Sequence, residues 1–216
     1  GKDTGQDSWS ELSPDYALCN TGSNQSPVSL ARAESRKLPA LQFSYQPAQT
    51  AFRWDRYTIV STPQSSQLLR EDSAEYRLRE MVVRSPSEHE IGDRFYPLEL
   101  QFLHEDKAGV KLNLSVFVEF GAHNPVFEPL IAALEKVRKS HQQASLDWQG
   151  FLPASRAYYA YPGSLTTPPC SEGVRVRVLR EPIQLSFEQA KRITTVIRRN
   201  SRLAQPLLLR TILESK

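Results

Sequence analysis

The sequence predicts a mainly β protein of the α+β kind. Three observations favour a sheet over a helical bundle: 15 prolines against 9 glycines, a single methionine, and many short runs of Val, Leu, Phe and Tyr. The chain has 216 residues, of which 39% are hydrophobic and 24% charged. Because these values are typical of one globular domain, we expect a single domain over residues 1–216.

Six segments have the length, the β-branched and aromatic content and the partial alternation of half-buried strands. In chain order they are Leu41–Tyr45, Tyr57–Ser61, Tyr76–Val83, Tyr96–His104, Leu112–Phe120 and Gly173–Leu179.

Two segments predict helices. Apolar residues recur at helical spacing within Glu128–Ser140. Ser186 and Gln189 resemble a capping box, which would open a helix ending near Asn200. The first forty residues are rich in Ser, Asn, Gly and Pro, and we expect an irregular segment that wraps the surface.

Charge and hydropathy exclude several classes of protein. A net charge of +3, from 27 basic and 24 acidic residues, is too small for a dedicated nucleic-acid binder. No stretch approaches the roughly 18 apolar residues of a membrane span. We therefore expect neither a nucleic-acid partner nor a transmembrane segment.

The two cysteines, Cys19 and Cys170, lie beside turn-forming residues. Two alternatives are open at this point, a disulfide or two reduced thiols. A disulfide would indicate an oxidising compartment, and so a secreted protein or one of the bacterial periplasm or cell envelope. The chain begins at Gly1 without a Met, as a trimmed mature chain does, so the lack of a visible leader is uninformative.

Histidine is scarce, and sequence spacing offers no metal cluster. His89, His104, His123 and His141 are the only four, and no two of them lie two to five residues apart, the spacing that zinc sites favour. A nucleophile-elbow Gly-x-Ser-x-Gly is also missing, so a serine hydrolase has no support.

Basic residues near the C-terminus suggest a partner surface. In the segment from 174 to 180 the valines alternate with arginines, so the arginines should share an outer face. A possible anion-binding patch, for a sulfated glycan or another acidic partner, comprises Arg175, Arg177, Arg198, Arg199 and Arg202. The alternative is a solvated face without a partner.

Several segments, in order, resemble one family. They are Trp9, Cys19–Val28 with its Gln-Ser-Pro, Ser87–His89, Tyr96–Glu99, Tyr161–Glu172 with its Gly-Ser-Leu-Thr-Thr-Pro-Pro-Cys, and Asn200–Pro206. Together they are similar to the α-class carbonic anhydrases of bacteria and plants. The resemblance implies a central, twisted, mostly antiparallel sheet of about ten strands with short peripheral helices. It also implies a Cys19–Cys170 bridge, as in secreted members.

The resemblance also implies a zinc site, and this chain departs from it. Active members hold zinc through three histidines, and the matching positions here are Val82, Arg84 and Gln101. Valine has no donor atom, arginine is an obligate cation and a neutral amide is a poor zinc ligand. We therefore expect no metal and no other cofactor.

Three further positions match catalytic residues of the family. Thr166 and Glu88 match the pair that orients the zinc-bound hydroxide, and Tyr57 matches the proton-shuttle histidine. Without a metal we interpret them as vestigial, with Thr166 and Glu88 as a buried hydrogen-bonded pair.

The guanidinium of Arg84 offers a replacement for the lost charge. One hypothesis places it near the vacated site, paired with one or more of Glu80, Glu88 and Glu99, because a buried carboxylate without a partner is costly. The alternative makes Arg84 a rim residue and fills the cavity with Val82, Leu103 and water.

These departures predict that the protein is not an enzyme. We expect a catalytically inactive carbonic anhydrase-like domain that acts as a binding or structural module for a protein or an anionic glycan. The alternative is an enzyme with residual or unusual carbonic anhydrase or esterase activity at a rebuilt site.

Overall fold

The computed structural model describes residues 5–55 and 58–216, and in this part of the chain one sheet dominates the fold. Its strands are β1 Ala33–Arg36, β2 Leu41–Ser44, β3 Pro47–Asp55, β4 Thr58–Pro63, β5 Leu68–Glu71, β6 Ala74–Arg84, β7 Leu98–Glu105, β8 Lys111–Phe120, β9 Gln142–Asp147, β10 Tyr158–Ser164, β11 Glu172–Leu185 and β12 Ile212–Ser215. The helices are α1 Trp9–Leu12, α2 Leu18–Thr21, α3 Phe127–Leu134 and α4 Phe187–Ile197.

The main path of the sheet runs β1-β12-β10-β11-β8-β7-β6-β4-β3-β9, and β2 and β5 extend it beside β6. Neighbouring strands are antiparallel except β1 with β12 and β8 with β11. The prediction of a mainly β, mostly antiparallel sheet is confirmed, with twelve described strands where about ten were expected.

One face of the sheet carries the larger apolar core. Along β7 and β8 every second side chain enters it, as the two-residue period of a strand requires. Along β6 a bulge between Leu78 and Glu80 shifts this alternation by one residue. Helices α3 and α4 cover this face with their buried apolar stripes. Because the apolar residues of the central strands point to this side, their polar residues are directed to the opposite face.

The opposite face holds a smaller apolar cluster and a polar cleft beside it. Val174, Val176 and Val178 of β11 belong to this cluster, as the alternation within that strand predicts. Glu80, Val82 and Arg84 share one face of β6, out of phase with the core residues Met81 and Val83. The strand period therefore directs the former zinc-ligand positions towards the cleft.

Element boundaries differ from the predicted ones for identifiable reasons. The fourth predicted strand, Tyr96–His104, begins two residues late, at Leu98, after Pro97, which has no N–H to donate to a ladder. The predicted helix Glu128–Ser140 ends at Leu134 because the following bonds tighten, with the Lys136 N–H donating to the Ala133 carbonyl three residues back. The capping box of Ser186 and Gln189 opens α4 as predicted.

The N-terminal segment is tied to the loop that follows β10. A disulfide joins Cys19 to Cys170, as the resemblance implied. The Ser26 N–H donates to Ser164 Oγ at 2.9 Å, and the Ser164 N–H donates back to Ser26 Oγ at 3.1 Å. The Gln-Ser-Pro and Gly-Ser-Leu-Thr-Thr-Pro-Pro-Cys segments are thus two sides of one contact.

No helix in the described ranges is long and apolar enough to cross a membrane.

Candidate functional site

A cleft of about 660 Å³ opens on the polar face of the sheet. Its floor comes from β4, β6, β7 and β8, and one wall comes from residues 164–168 after β10. Leu12, Ser13 and Tyr16 of the N-terminal segment line it from another side. Sequence reasoning missed these three, because an irregular segment has no period that would show where it packs.

Arg84 lies at the floor of the cleft and is only 4% exposed. Its Nε donates to Gln101 Oε1 at 3.1 Å, one Nη to Thr166 Oγ1 at 3.2 Å and the other to the Asn200 carbonyl at 3.3 Å. Its Nε also lies 3.3 Å from Glu88 Oε1. The hypothesis of a buried pair therefore holds for Glu88, and the guanidinium is fixed in position from several sides.

The amide of Gln101 connects the buried charges. While its oxygen accepts from Arg84, its nitrogen donates to Glu88 Oε2 at 2.7 Å and to Glu99 Oε1 at 3.0 Å. Glu88 additionally accepts the backbone N–H of Arg202 at 2.9 Å. An amide offers two N–H donors beside its acceptor oxygen, so it can bridge a cation and two carboxylates, whereas a neutral imidazole has a single N–H donor.

Glu99 is fully buried and bonded to the segment that follows β6. The backbone N–H groups of Glu88 and His89 donate to Glu99 Oε2 at 2.9 Å each, and His89 Nδ1 lies 2.8 Å from Oε1. Burial alone would raise the pKa of Glu99, but the charge and hydrogen bonds of His89, together with Gln101, lower it to about 2. Glu99 therefore does not pair with Arg84.

The three vestigial positions have different outcomes. Thr166 and Glu88 are both buried, but they are joined through Arg84 and Gln101, not by the direct bond that we expected. The guanidinium of Arg84 lies between them, donates a hydrogen bond to Thr166 and pairs with the carboxylate of Glu88. Tyr57 lies outside the described residues.

Besides Asp55, Glu80 is a carboxylate that lines the cleft with a partly exposed side chain. Its Oε2 lies 3.7 Å from an Nη of Arg53, and a third of the side chain is exposed. Burial raises the pKa of Glu80, and Asp55 raises it further, although the charges of Arg53 and Arg84 partly oppose this. Glu80 is thus poised to accept a proton nearer neutrality than an ordinary carboxylate.

The residues at the floor do not fit a zinc ion. Val82 presents no donor atom, the guanidinium of Arg84 repels a cation, and the Gln101 oxygen is engaged by Arg84. Within the described ranges no three His, Cys, Asp or Glu side chains converge as a metal cluster. His89 and His104 are buried in hydrogen bonds of their own, with Glu99 and with the Phe102 carbonyl.

Two of the five arginines of the predicted basic patch, Arg202 and Arg177, are engaged by other groups of the chain. Arg202 is 4% exposed and donates to Gln25 Oε1 and to the carbonyls of Ser26 and Cys19, so placing it on the surface was wrong. Three hydrogen bonds from its two terminal nitrogens hold the guanidinium inside. Arg177 forms two bonds to buried Glu71, at 2.7 and 3.0 Å, which neutralise it.

The rest of the patch is accessible. The side chain of Arg175 is half exposed and lies 3.8 Å from Glu71, and Arg198 and Arg199 are exposed. An anionic or protein partner at this surface stays a prediction.

Comparisons with known proteins identify the family to which this fold and these motifs belong. The sequence model of the eukaryotic-type carbonic anhydrase family matches residues 4–216. A protein named carbonic anhydrase from Pectobacterium atrosepticum is 35% identical over 95% of this chain and 85% of its own length. The chain belongs to this family.

Solved carbonic anhydrase-family structures superimpose closely on this chain. The α-carbonic anhydrase of Thermovibrio ammonificans, in complex with the inhibitor sulfanilamide, matches with a TM-score of 0.89 and 34% identity over 99% of this chain and 96% of that one. A dioscorin, in complex with ascorbate, matches with a TM-score of 0.92 and 26% identity over 99% and 95% of the two chains.

These comparisons contradict the prediction that the protein is not an enzyme. Similar proteins that span most of its length are named carbonic anhydrase. The prediction was wrong because it equated the loss of zinc ligands with the loss of catalysis. A carbonic anhydrase-family cleft that holds a fixed cation and a titratable carboxylate still offers electrostatic and acid–base chemistry.

Proposed function

We propose that the protein is a carbonic anhydrase-family enzyme that adds water to a small carbonyl substrate in the cleft, most directly an ester. The carrying observation is the placement of a buried guanidinium, Arg84, and a titratable carboxylate, Glu80, on the floor of one cleft. Carbon dioxide is the other substrate that a carbonyl site of this family would accept.

Arg84 is suited to stabilise negative charge on a substrate oxygen. Its hydrogen bonds to described residues use three of its five N–H groups, one on each nitrogen. Because the guanidinium is held by Gln101 and Thr166, little reorganisation accompanies the reaction. A fixed donor of this kind contributes roughly 100- to 1,000-fold in rate.

Glu80 is suited to act as the general base. Glu80 and Arg84 are four residues apart on one strand face, which separates their Cα atoms by roughly 13 Å. Both side chains line the cleft of about 660 Å³, which has room for a small carbonyl substrate and one water molecule. The raised pKa of Glu80 improves its match to proton transfer near neutral pH.

The reaction balances with these two groups alone. The water oxygen forms a bond to the carbonyl carbon, one water proton passes to Glu80, and the carbonyl electron pair moves to the oxygen that faces Arg84. Collapse of the tetrahedral species breaks the bond to the alkoxide, which takes the proton from Glu80. With carbon dioxide no group leaves, the product is bicarbonate, and Glu80 releases the proton to solvent.

Replacement of Glu80 tests the proposal. We expect chelator-treated protein to hydrolyse p-nitrophenyl acetate above the buffer rate, and Glu80→Gln to lower kcat/KM about 100-fold because the base is lost. The rate of the unsubstituted protein should rise with pH through a pKa above that of an ordinary carboxylate. Carbon dioxide hydration is measured in parallel.

Glu75→Gln is the matched control. Glu75 lies on the same strand and binds Arg70 at the surface, outside the cleft, so its replacement should leave kcat/KM unchanged. Equal rates for Glu80→Gln and the unsubstituted protein, or no turnover of either substrate, would refute the proposal.

We further propose that the protein works in an oxidising compartment, as a secreted protein or in the bacterial periplasm or cell envelope. The Cys19–Cys170 disulfide supports this location.

A further inference from the structure

We infer that Arg84 is a permanent internal cation in the place where the fold of this family holds a metal ion, so that the cleft takes up no zinc. The positive charge that Glu88 requires is supplied by the chain itself. This inference concerns the ionic content of the site and does not depend on the proposed reaction.

The sheet register places the substituted positions together. Val82 is directly opposite Gln101 across β6 and β7, and Arg84 follows Val82 on the same face of β6. Side chains of directly opposed residues begin about 5 Å apart, and residues i and i+2 of a strand project to the same side. Three imidazoles at these positions would converge on one point in the cleft.

The side chains now present fill that point with bonded groups. The Arg84 guanidinium contacts Gln101, Thr166 and Glu88 simultaneously, at 3.1 to 3.3 Å. A zinc ion entering here would meet a guanidinium and would have to break the Arg84–Gln101 bond to reach an oxygen. Neither change is offset by a thiolate, imidazole or free carboxylate ligand.

Arg84 should stabilise the folded protein as well as shape the cleft, because it balances the charge of Glu88. The Glu88 side chain is fully buried, and Arg84 is its partner at 3.3 Å. Removal of one member of such a pair leaves an uncompensated buried charge, whereas removal of both leaves none. The two residues should therefore behave as a unit in stability measurements.

Metal analysis is the direct test. After incubation with zinc chloride and gel filtration, the unsubstituted protein should retain far less than one zinc per chain, and chelator should leave its Tm unchanged. The triple variant Val82→His/Arg84→His/Gln101→His should retain one zinc per chain and lose Tm with chelator. Stoichiometric zinc in the unsubstituted protein, or none in the folded triple variant, would overturn the inference.

A double-mutant cycle provides an independent measurement. Arg84→Met and Glu88→Gln should each lower Tm by about 10 °C, and the double variant should lose clearly less than the sum of the two. The control is the exposed pair of Arg79 and Glu105, which also bridges β6 and β7, at 2.9 Å. Its replacement should change Tm by no more than about 2 °C.

The cycle can also refute the inference. If Arg84→Met shifts Tm no more than Arg79→Met, Arg84 is not an essential counter-ion. Failure here is separate from failure of the proposed function, because the ester hydrolysis test depends on Glu80 and not on metal content or Tm.

Discussion

At the scale of single residues, burial decides what each charged group does. Glu99 and Glu80 are both carboxylates on the central strands, yet the pKa of the first is lowered and that of the second is raised. Glu99 is bonded to two backbone N–H groups and to His89, whereas the contact that the described ranges give the Glu80 carboxylate is a loose one with Arg53. Hydrogen bonds to the charged form overcome desolvation in one case and not in the other.

Glu99 should make the fold sensitive to acid. Its folded pKa of about 2 lies below the ordinary value of 4.5, so its stabilisation is complete above pH 4.5 and is lost as the pH falls towards 2. We expect the free energy of unfolding to fall by about 3 kcal/mol over this range from Glu99 alone. Urea denaturation at several pH values measures it.

Glu99→Gln should be less stable at neutral pH and should flatten this pH dependence, while Glu105→Gln, at the exposed end of the same strand, should retain it. An unchanged slope in Glu99→Gln would contradict the assignment.

The sequence identified Arg84 correctly as a candidate partner of Glu88 but misplaced Arg202. Strand period alone directs residue 84 towards the cleft, so its partner could be sought among nearby carboxylates. The acceptors of Arg202 are the Gln25 side chain and the carbonyls of Ser26 and Cys19, more than 170 positions away. No local pattern indicates contacts of that separation.

At the scale of elements, local signals predicted α4 and the central strands. Ser186 Oγ accepts the Gln189 N–H at 3.2 Å, and Gln189 Oε1 accepts the Ser186 N–H at 3.1 Å. The Gln189 amide also donates to Glu128 Oε1 and to the Asn124 carbonyl, which joins α4 to α3. The cap therefore fixes both the start of the helix and its packing.

Ser186→Ala should lower the free energy of unfolding by about 1 kcal/mol, because a backbone donor in the first turn loses its acceptor. Ser186→Asp should keep most of the stability, since a carboxylate also caps and suits the helix dipole. Thermal unfolding followed by circular dichroism compares them. Equal losses in both variants would contradict a capping role.

Strands β1, β3, β5, β9, β10 and β12 were not predicted. In β10 nearly every residue is buried on both faces, so no alternation shows, and the segment contains Pro162 and Gly163, which usually indicate a turn. β12 has only four residues and is placed by pairing with β1 and β10. Such strands are defined by their neighbours more than by their own composition.

At the scale of the whole molecule, the N-terminal segment closes the fold. The Cys19–Cys170 disulfide and the Ser26–Ser164 bonds attach it to the loop after β10, beside the cleft that it helps to line. Loss of this attachment should affect both stability and the shape of the cleft.

Cys19→Ser/Cys170→Ser should lower the free energy of unfolding by about 4–5 kcal/mol, because the unfolded chain regains the freedom of a loop of 151 residues. Urea curves of the unsubstituted protein with and without reductant provide the comparison, and reductant should not affect the double variant. A reductant-insensitive midpoint in the unsubstituted protein would argue against the bridge and against an oxidising location.

The sequence by itself determined the family, the sheet, the capped helix and the replacement of the zinc ligands, because these depend on residue type and on periods of two to four residues. Only the tertiary structure decided that Gln101 bridges Arg84 to two carboxylates, that Arg202 lies inside and that Arg84 pairs with Glu88 and not with Glu99. Those facts depend on which distant backbone groups meet and on how much water each charge loses. The contacts and the burial of each charged group are both properties of the folded chain.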